Sequence, residues 1–176
     1  MAEKWKPILS EPRAARLYVA CYFDDPEPYL TIKKSLESAF GKSDYESQSI
    51  DTELLMPLYT NTARRILRLL SFRRQIGREE IVDVRKRTLA METGLQQMAR
   101  PLVELDPGYV TEFTVVRTSL KDDFHHIYFY SGIFGESLCY FENGSFRPFL
   151  QTPELYRTDA VLAAFNDLRL IHVTEQ

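Results

Sequence analysis

Five side chains between Leu102 and Phe149 are of types that could make a catalytic or binding site: Asp106, Tyr109, Lys121, His125 and Glu136. An imidazole can give or take a proton near neutral pH, so His125 is the candidate acid or base. A carboxylate beside an imidazole orients the ring and sets its tautomer, and Glu136 is the candidate for that part. The pairing rests on Ser131-Gly132 acting as a two-residue hairpin turn. Tyr130 then faces Ile133, Ile127 faces Glu136 and His125 faces Leu138, which makes His125 and Glu136 diagonal neighbours on one face of the sheet. A slip of one residue would move them to opposite faces. On the same argument His126 points to the other face, near Ser137.

Asp106-Pro107-Gly108-Tyr109 reads as a tight turn, because Pro107 fixes φ and Gly108 permits a positive one. Such a turn would aim Asp106 and the Tyr109 hydroxyl at a substrate, while Lys121 or Arg85 neutralised a negative group on it. The spacing of His125, His126 and His172 does not suggest a metal site, and no cysteine lies near them in sequence. No cofactor is implied. Gly41-Lys42-Ser43 resembles the end of a phosphate-binding loop, but the glycine required five residues earlier is Leu36, and the segment follows a helix rather than a strand.

These residues need a scaffold. The run Arg16–Phe23 is almost wholly apolar and reads as a central strand covered on both faces. Residues 28–40 carry Leu30, Ile32, Leu36, Ala39 and Phe40 near helical spacing, with Gly41 as the stop. A short strand is expected over Tyr45–Ile50 and another over Leu67–Arg74, with the preceding stretch from Leu54 ambiguous. Residues 78–98 have Ile81, Val84, Thr88, Met91, Leu95 and Met98 at alternating spacings of three and four, the pattern of an amphipathic helix ended by Arg100-Pro101. Glu112–Thr118, His125–Tyr130, Ile133–Phe141 and Ser145–Phe149 read as a meander, with Asn143-Gly144 as its second hairpin turn. Thr152-Pro153 looks like the start of a last helix.

The expected fold class is therefore α+β with a mixed or antiparallel sheet. Its β-α-β-β-α-β order is that of a ferredoxin-like core, followed by an antiparallel meander and a C-terminal helix. One domain is expected, with a loose tail over 1–13, a first half over 14–106, and a second half over 107–176.

Composition narrows the function classes. With 44% hydrophobic and 27% charged residues, the chain can build a core and is not of the disordered kind. Two cysteines, Cys21 and Cys139, are too few for a disulfide framework, and both lie in apolar strand-like runs. A polar N-terminus interrupted by proline and the absence of a long apolar run point to the cytoplasm and away from membranes. Between Arg64 and Arg87 nine basic residues meet three acidic ones, a formal +6 against -9 for the rest of the chain. That asymmetry leaves an RNA or acidic-protein interface as an alternative, although a pI of about 5.7 speaks for a solvated face.

Taken together, the Asp106–Tyr109 segment, the run Thr118…Lys121…His125-x-Ile127-Tyr128 and the strand Gly132-Ile133-Phe134-Gly135-Glu136 resemble an uncharacterised bacterial family, domain-of-unknown-function family 4416. The likeness runs from the Leu17–Phe23 strand to Tyr156-Arg157 and Phe165. Two positions depart from the pattern: the family usually has Arg where this chain has His126, and a Trp near Phe149-Leu150-Gln151. The resemblance implies no established activity; a GTP-binding label sometimes given to members finds no phosphate loop here. The leading expectation is a site for a small anionic ligand that could be enzymatic. The alternatives are the basic interaction module and a structural subunit whose exposed aromatics form a homodimer face.

Overall fold

In the computed structural model, which describes residues 10–52, 65–97 and 100–175, the first strand organises everything else. β1 (Ala15–Phe23) is buried at every position. Leu17, Val19, Cys21 and Phe23 enter one core, and Tyr18, Ala20 and Tyr22 enter another on the opposite face. This is the doubly covered strand that its unbroken apolar run predicts.

The remaining strands are β2 (Ser43–Glu46), β3 (Ile50–Asp51), β4 (Ile66–Ile76), β5 (Gln96–Gln97), β6 (Arg100–Pro101), β7 (Val103–Val110), β8 (Thr114–Ser119), β9 (Ile127–Tyr130), β10 (Ile133–Glu142) and β11 (Ser145–Pro148). Nine of the eleven form one sheet in the order β11-β10-β8-β7-β1-β4-β2, with β3 also on β4 and β9 also on β10. All pairings among the described residues are antiparallel. β5 and β6 make a separate small ladder. Helices α1 (Pro26–Phe40) and α2 (Ile81–Gly94) cover one face, and α3 (Asp159–Thr174) covers the other. The architecture is α+β, three layers deep. No described helix is long and apolar enough to cross a membrane.

Gly41 ends α1 with φ 96°, a conformation that favours glycine. The predicted strand over Leu67–Arg74 is present and longer; part of the ambiguous stretch before it lies outside the described residues. Three expectations need correction. The helix read over 78–98 begins as a 3-10 turn at Arg78–Glu80 and ends at Gly94, where the β5–β6 ladder takes over. The last helix starts at Asp159 rather than at Pro153, because the Thr152 hydroxyl is spent on the Leu138 carbonyl at 2.5 Å.

The third correction concerns Asp106-Pro107-Gly108-Tyr109, which is not a turn but the middle of β7. Pro107 is tolerated because its backbone faces β8 beyond the end of their ladder. That ladder stops at the Gly108–Arg117 pair, and the Pro107 carbonyl takes the Thr118 hydroxyl at 3.0 Å instead. Gly108 is needed for space rather than for positive φ. A Cβ there would lie 2.2 Å from the Val116 carbonyl oxygen and 2.5 Å from the Tyr18 ring.

An acid-sensitive tie holds α1 to the sheet edge. Glu46 on β2 accepts from Lys33 and Arg68, each at 2.5 Å, and from the Tyr29 hydroxyl at 2.6 Å. Burial alone would raise its pKa, but those three donors outweigh it and hold the carboxyl at about 2. A carboxyl depressed in the folded state stabilises above its unfolded value of about 4.3, and that gain is lost as pH falls towards 2. After solvent screening we expect about 1–2 kcal/mol. Urea midpoints should fall across that window, and Glu46→Gln should flatten the fall; an unchanged slope would show that the tie contributes nothing.

Candidate functional site

The hairpin that carries the candidate histidine turns at Ser131 and Gly132, with φ 55° and 75°, as a two-residue turn with both residues left-handed. Tyr130 faces Ile133 as expected. Beyond that pair the register slips by one: Tyr128 faces Phe134, and Ile127 faces Gly135 rather than Glu136. The cause is a bulge at Phe129, whose ring lies where a Cβ on Gly135 would be, at 2.1 Å.

The slip does not separate His125 from Glu136, because His125 is not on the strand. It lies in a turn before β9 that closes with a 2.9 Å bond from the His126 amide to the Asp123 carbonyl. From there the His125 Nε2 comes within 3.1 Å of Glu136 Oε1. The same turn brings His126 inward rather than to the opposite face near Ser137, which corrects the expectation drawn from strand alternation. His126 Nδ1 is 2.8 Å from the Lys121 carbonyl oxygen, and its Nε2 is 3.5 Å from Glu136 Oε2.

Glu136 itself is fixed by β10. It stands directly opposite Arg117 on β8, and Arg117 Nε donates to its Oε2 at 2.7 Å. The Glu136 side chain is fully buried, a position tolerable for a carboxylate only with such partners. Arg117 also reaches Asp106 Oδ2 at 3.1 Å and lies over the Tyr156 ring at 5.3 Å. Tyr156 donates to the same Asp106 oxygen at 2.6 Å and shares a 2.6 Å bond with the Tyr22 hydroxyl. Burial and then the Asp106 charge push the Tyr156 pKa up, so the phenol remains a donor. Burial opposes charge on Arg117, but Asp106 and Glu136 more than restore it.

These groups line a cavity of about 590 Å³ bounded by β7, β8 and β10, the turn before β9, the 3-10 turn Glu154–Arg157, and Arg85 and Glu92 of α2. Its fixed charges are Arg85, Arg117 and Lys121 against Glu92, Glu104, Asp106, Asp123 and Glu136, a formal -2 with neutral imidazoles. Most of the cations are already engaged. Arg85 donates to the Leu105 carbonyl and sits 3.6 Å from Glu92, which in turn accepts the Leu105 amide at 2.6 Å. Burial raises the Glu92 pKa. Lys121 lies at the mouth with its side chain in solvent.

Of the six residues named from sequence, five therefore line the cavity and Tyr109 does not. Three positions from Asp106 along an extended strand, Tyr109 points to the other face and packs in the core with Leu17 and Val19. Arg117, His126, Tyr22 and Tyr156 belong to the site and were not anticipated. Arg117 had a visible signal, as the one charged side chain within the alternating strand Thr114–Ser119. The spacing argument against a metal site overlooked Glu136. One ligand atom each from His125, His126 and Glu136 lie within 4.8 Å of one another.

The family described as Domain of unknown function (DUF4416) matches residues 13–172 of the 176. The chain belongs to that family. The match takes in every residue that lines the cavity. No curated protein and no solved structure matches the chain.

Proposed function

We propose that this member of the family binds a small polar molecule with an anionic group in the 590 Å³ cavity, and that His125 exchanges a proton with it while Glu136 orients the ring. The observation that carries the reading is a fully buried glutamate that meets two imidazoles and a guanidinium on one cavity wall. Cavities of roughly 300–1,000 Å³ with a few convergent polar groups are the usual form of a ligand site. Asp106 and Tyr156 fix Arg117, and Lys121 at the mouth is the cation free to meet the ligand's charge. Free, buried Cys21 and Cys139 suit the reducing conditions of a cytoplasm.

Among the described residues, the ion pairs of the basic segment speak against the basic-module alternative. Arg68, Arg74, Arg85 and Lys86 of that segment are each paired with a carboxylate, and they are split between a strand and a helix.

The test is a thermal-shift screen of the wild type and His125→Ala against sugar phosphates, nucleotides and carboxylates. A ligand raises the melting temperature only by binding the folded form. His125→Ala should melt within a few degrees of the wild type yet lose most of the ligand-induced shift. If every compound shifts both proteins equally, or none shifts either, the reading fails.

A further inference from the structure

His126 presents a problem that a neutral ring does not solve. A backbone carbonyl only accepts, so the 2.8 Å contact with the Lys121 oxygen requires the proton on Nδ1. In a neutral ring Nε2 then holds a lone pair, and that lone pair faces Glu136 Oε2 at 3.5 Å. Two acceptors pointed at each other in a buried place repel unless something positive lies between them. Arg117 occupies one side of that oxygen already. On His125 the nitrogen that faces Glu136 is Nε2, at 3.1 Å; Nδ1 is buried with no hydrogen-bond partner, and an ion on Nε2 would leave it so.

We infer that His125, His126 and Glu136 together bind one divalent transition-metal ion of the Zn²⁺ type, open towards the cavity. The donor set is two imidazoles and a carboxylate, which suits borderline ions better than Mg²⁺ or Ca²⁺. The spacing fits as well. A tetrahedral zinc with bonds of about 2.0–2.1 Å separates its ligand atoms by about 3.3 Å; here the imidazoles lie 3.1 and 3.5 Å from the two different oxygens of Glu136, and one ligand atom from each of the three residues falls within 4.8 Å of the others, so a small closing movement completes the set. The surroundings are those of a metal ligand shell: His126 is oriented through its other nitrogen by a carbonyl, and Glu136 by a guanidinium. Three protein ligands leave a further position for water or ligand, as in catalytic rather than structural zinc sites. A divalent ion also brings the formal -2 of the cavity lining to zero, so an anionic group can enter without facing a net negative wall. The inference rests on the ligand-pocket reading only for what the ion would act upon; with the ion bound, the His125 nitrogen that faces Glu136 is a ligand and no longer exchanges a proton.

The experiment is a zinc titration of chelator-stripped protein by calorimetry, with Co²⁺ absorbance as a second readout. One ion per chain is expected, with Mg²⁺ and Ca²⁺ far weaker. His126→Ala should weaken zinc by more than the roughly 10–100-fold that loss of a mere supporting partner costs. The wild type supplies a check that needs no variant: ring-nitrogen NMR signals of two of the three histidines should move on adding zinc, while the third, His172 on α3, stays put. Absence of stoichiometric binding, binding indifferent to His126→Ala, or shifts confined to His172 would each overturn the inference. Zinc bound at this site without any small-molecule shift would sink the pocket reading and leave the metal site standing. A ligand shift unchanged by chelator or by zinc would remove the ion from ligand binding.

Discussion

Gly108→Ala should be among the most damaging single substitutions in this protein, costing about 3 kcal/mol or more. An added methyl group would stand 2.2 Å from the Val116 carbonyl oxygen and 2.5 Å from the Tyr18 ring and hydroxyl. Neither neighbour has room to give. Val116 is paired in the β7–β8 ladder, and Tyr18 is fully buried on β1 beneath Phe165 of α3. Overpacking a tight core usually costs 1–3 kcal/mol, and here the obstacle is backbone as well as side chain. At this chain length that corresponds to a melting point lower by roughly 6–12 °C. Gly94→Ala is the matched control. Nothing lies within 4 Å of a Cβ there, so it should be neutral or gain a few tenths of a kcal/mol. A Gly108→Ala protein that melts within two or three degrees of the wild type would mean that β7 and β8 can separate freely, and the account of Pro107-Gly108 would be wrong.

Arg117→Leu should destabilise by about 3–5 kcal/mol, for an electrostatic reason. Its guanidinium is the bridge between Asp106 and Glu136, and the Glu136 side chain is fully buried. Removing one partner of a buried pair leaves the other charge uncompensated, and that is where the cost arises. The double substitution Arg117→Leu with Glu136→Leu should recover much of the loss, since replacing both partners by apolar groups of similar size is often neutral. Urea unfolding of the two variants beside the wild type checks this. If the double variant is no better than the single one, the cost lies in packing against Tyr156 and not in stranded charge.

Where the sequence was legible, one local rule and the tertiary environment pointed the same way. β1 is apolar because it is covered twice, and the two hairpin turns carry Ser131-Gly132 and Asn143-Gly144 because both residues of each turn adopt positive φ. The misreadings have a common origin: a residue chosen for a tertiary reason was credited with a local one. Pro107-Gly108 has the composition of a turn, yet Gly108 is there to let Tyr18 approach. Thr152 could have capped a helix, yet its hydroxyl serves the Leu138 carbonyl. His125 and Glu136 do meet, but through a turn and a bulge that cancel the assumed register rather than through the register itself. Strand alternation sent His126 outward because the strand was begun two residues too early. Nothing local to β8 shows that Arg117 will have Asp106 on one side and Glu136 on the other, since those partners come from two other strands.

The edge position of β9 means that the two sides of the candidate site are not held with equal firmness. Glu136 and Arg117 belong to strands with neighbours on both sides, whereas β9 is four residues long and, among the described residues, pairs with β10 alone, with Ile127, Tyr128 and Tyr130 exposed. Short edge segments with few buried contacts open at a fraction of the global unfolding cost. We therefore expect the segment that carries the imidazoles to open before the strands that carry the carboxylate and guanidinium. Amide exchange at Ile127–Tyr130 should run far ahead of exchange at Glu136–Cys139, and anything bound between histidines and glutamate would close that gap. In this fold the door and the latch are the same six residues, His125 to Tyr130.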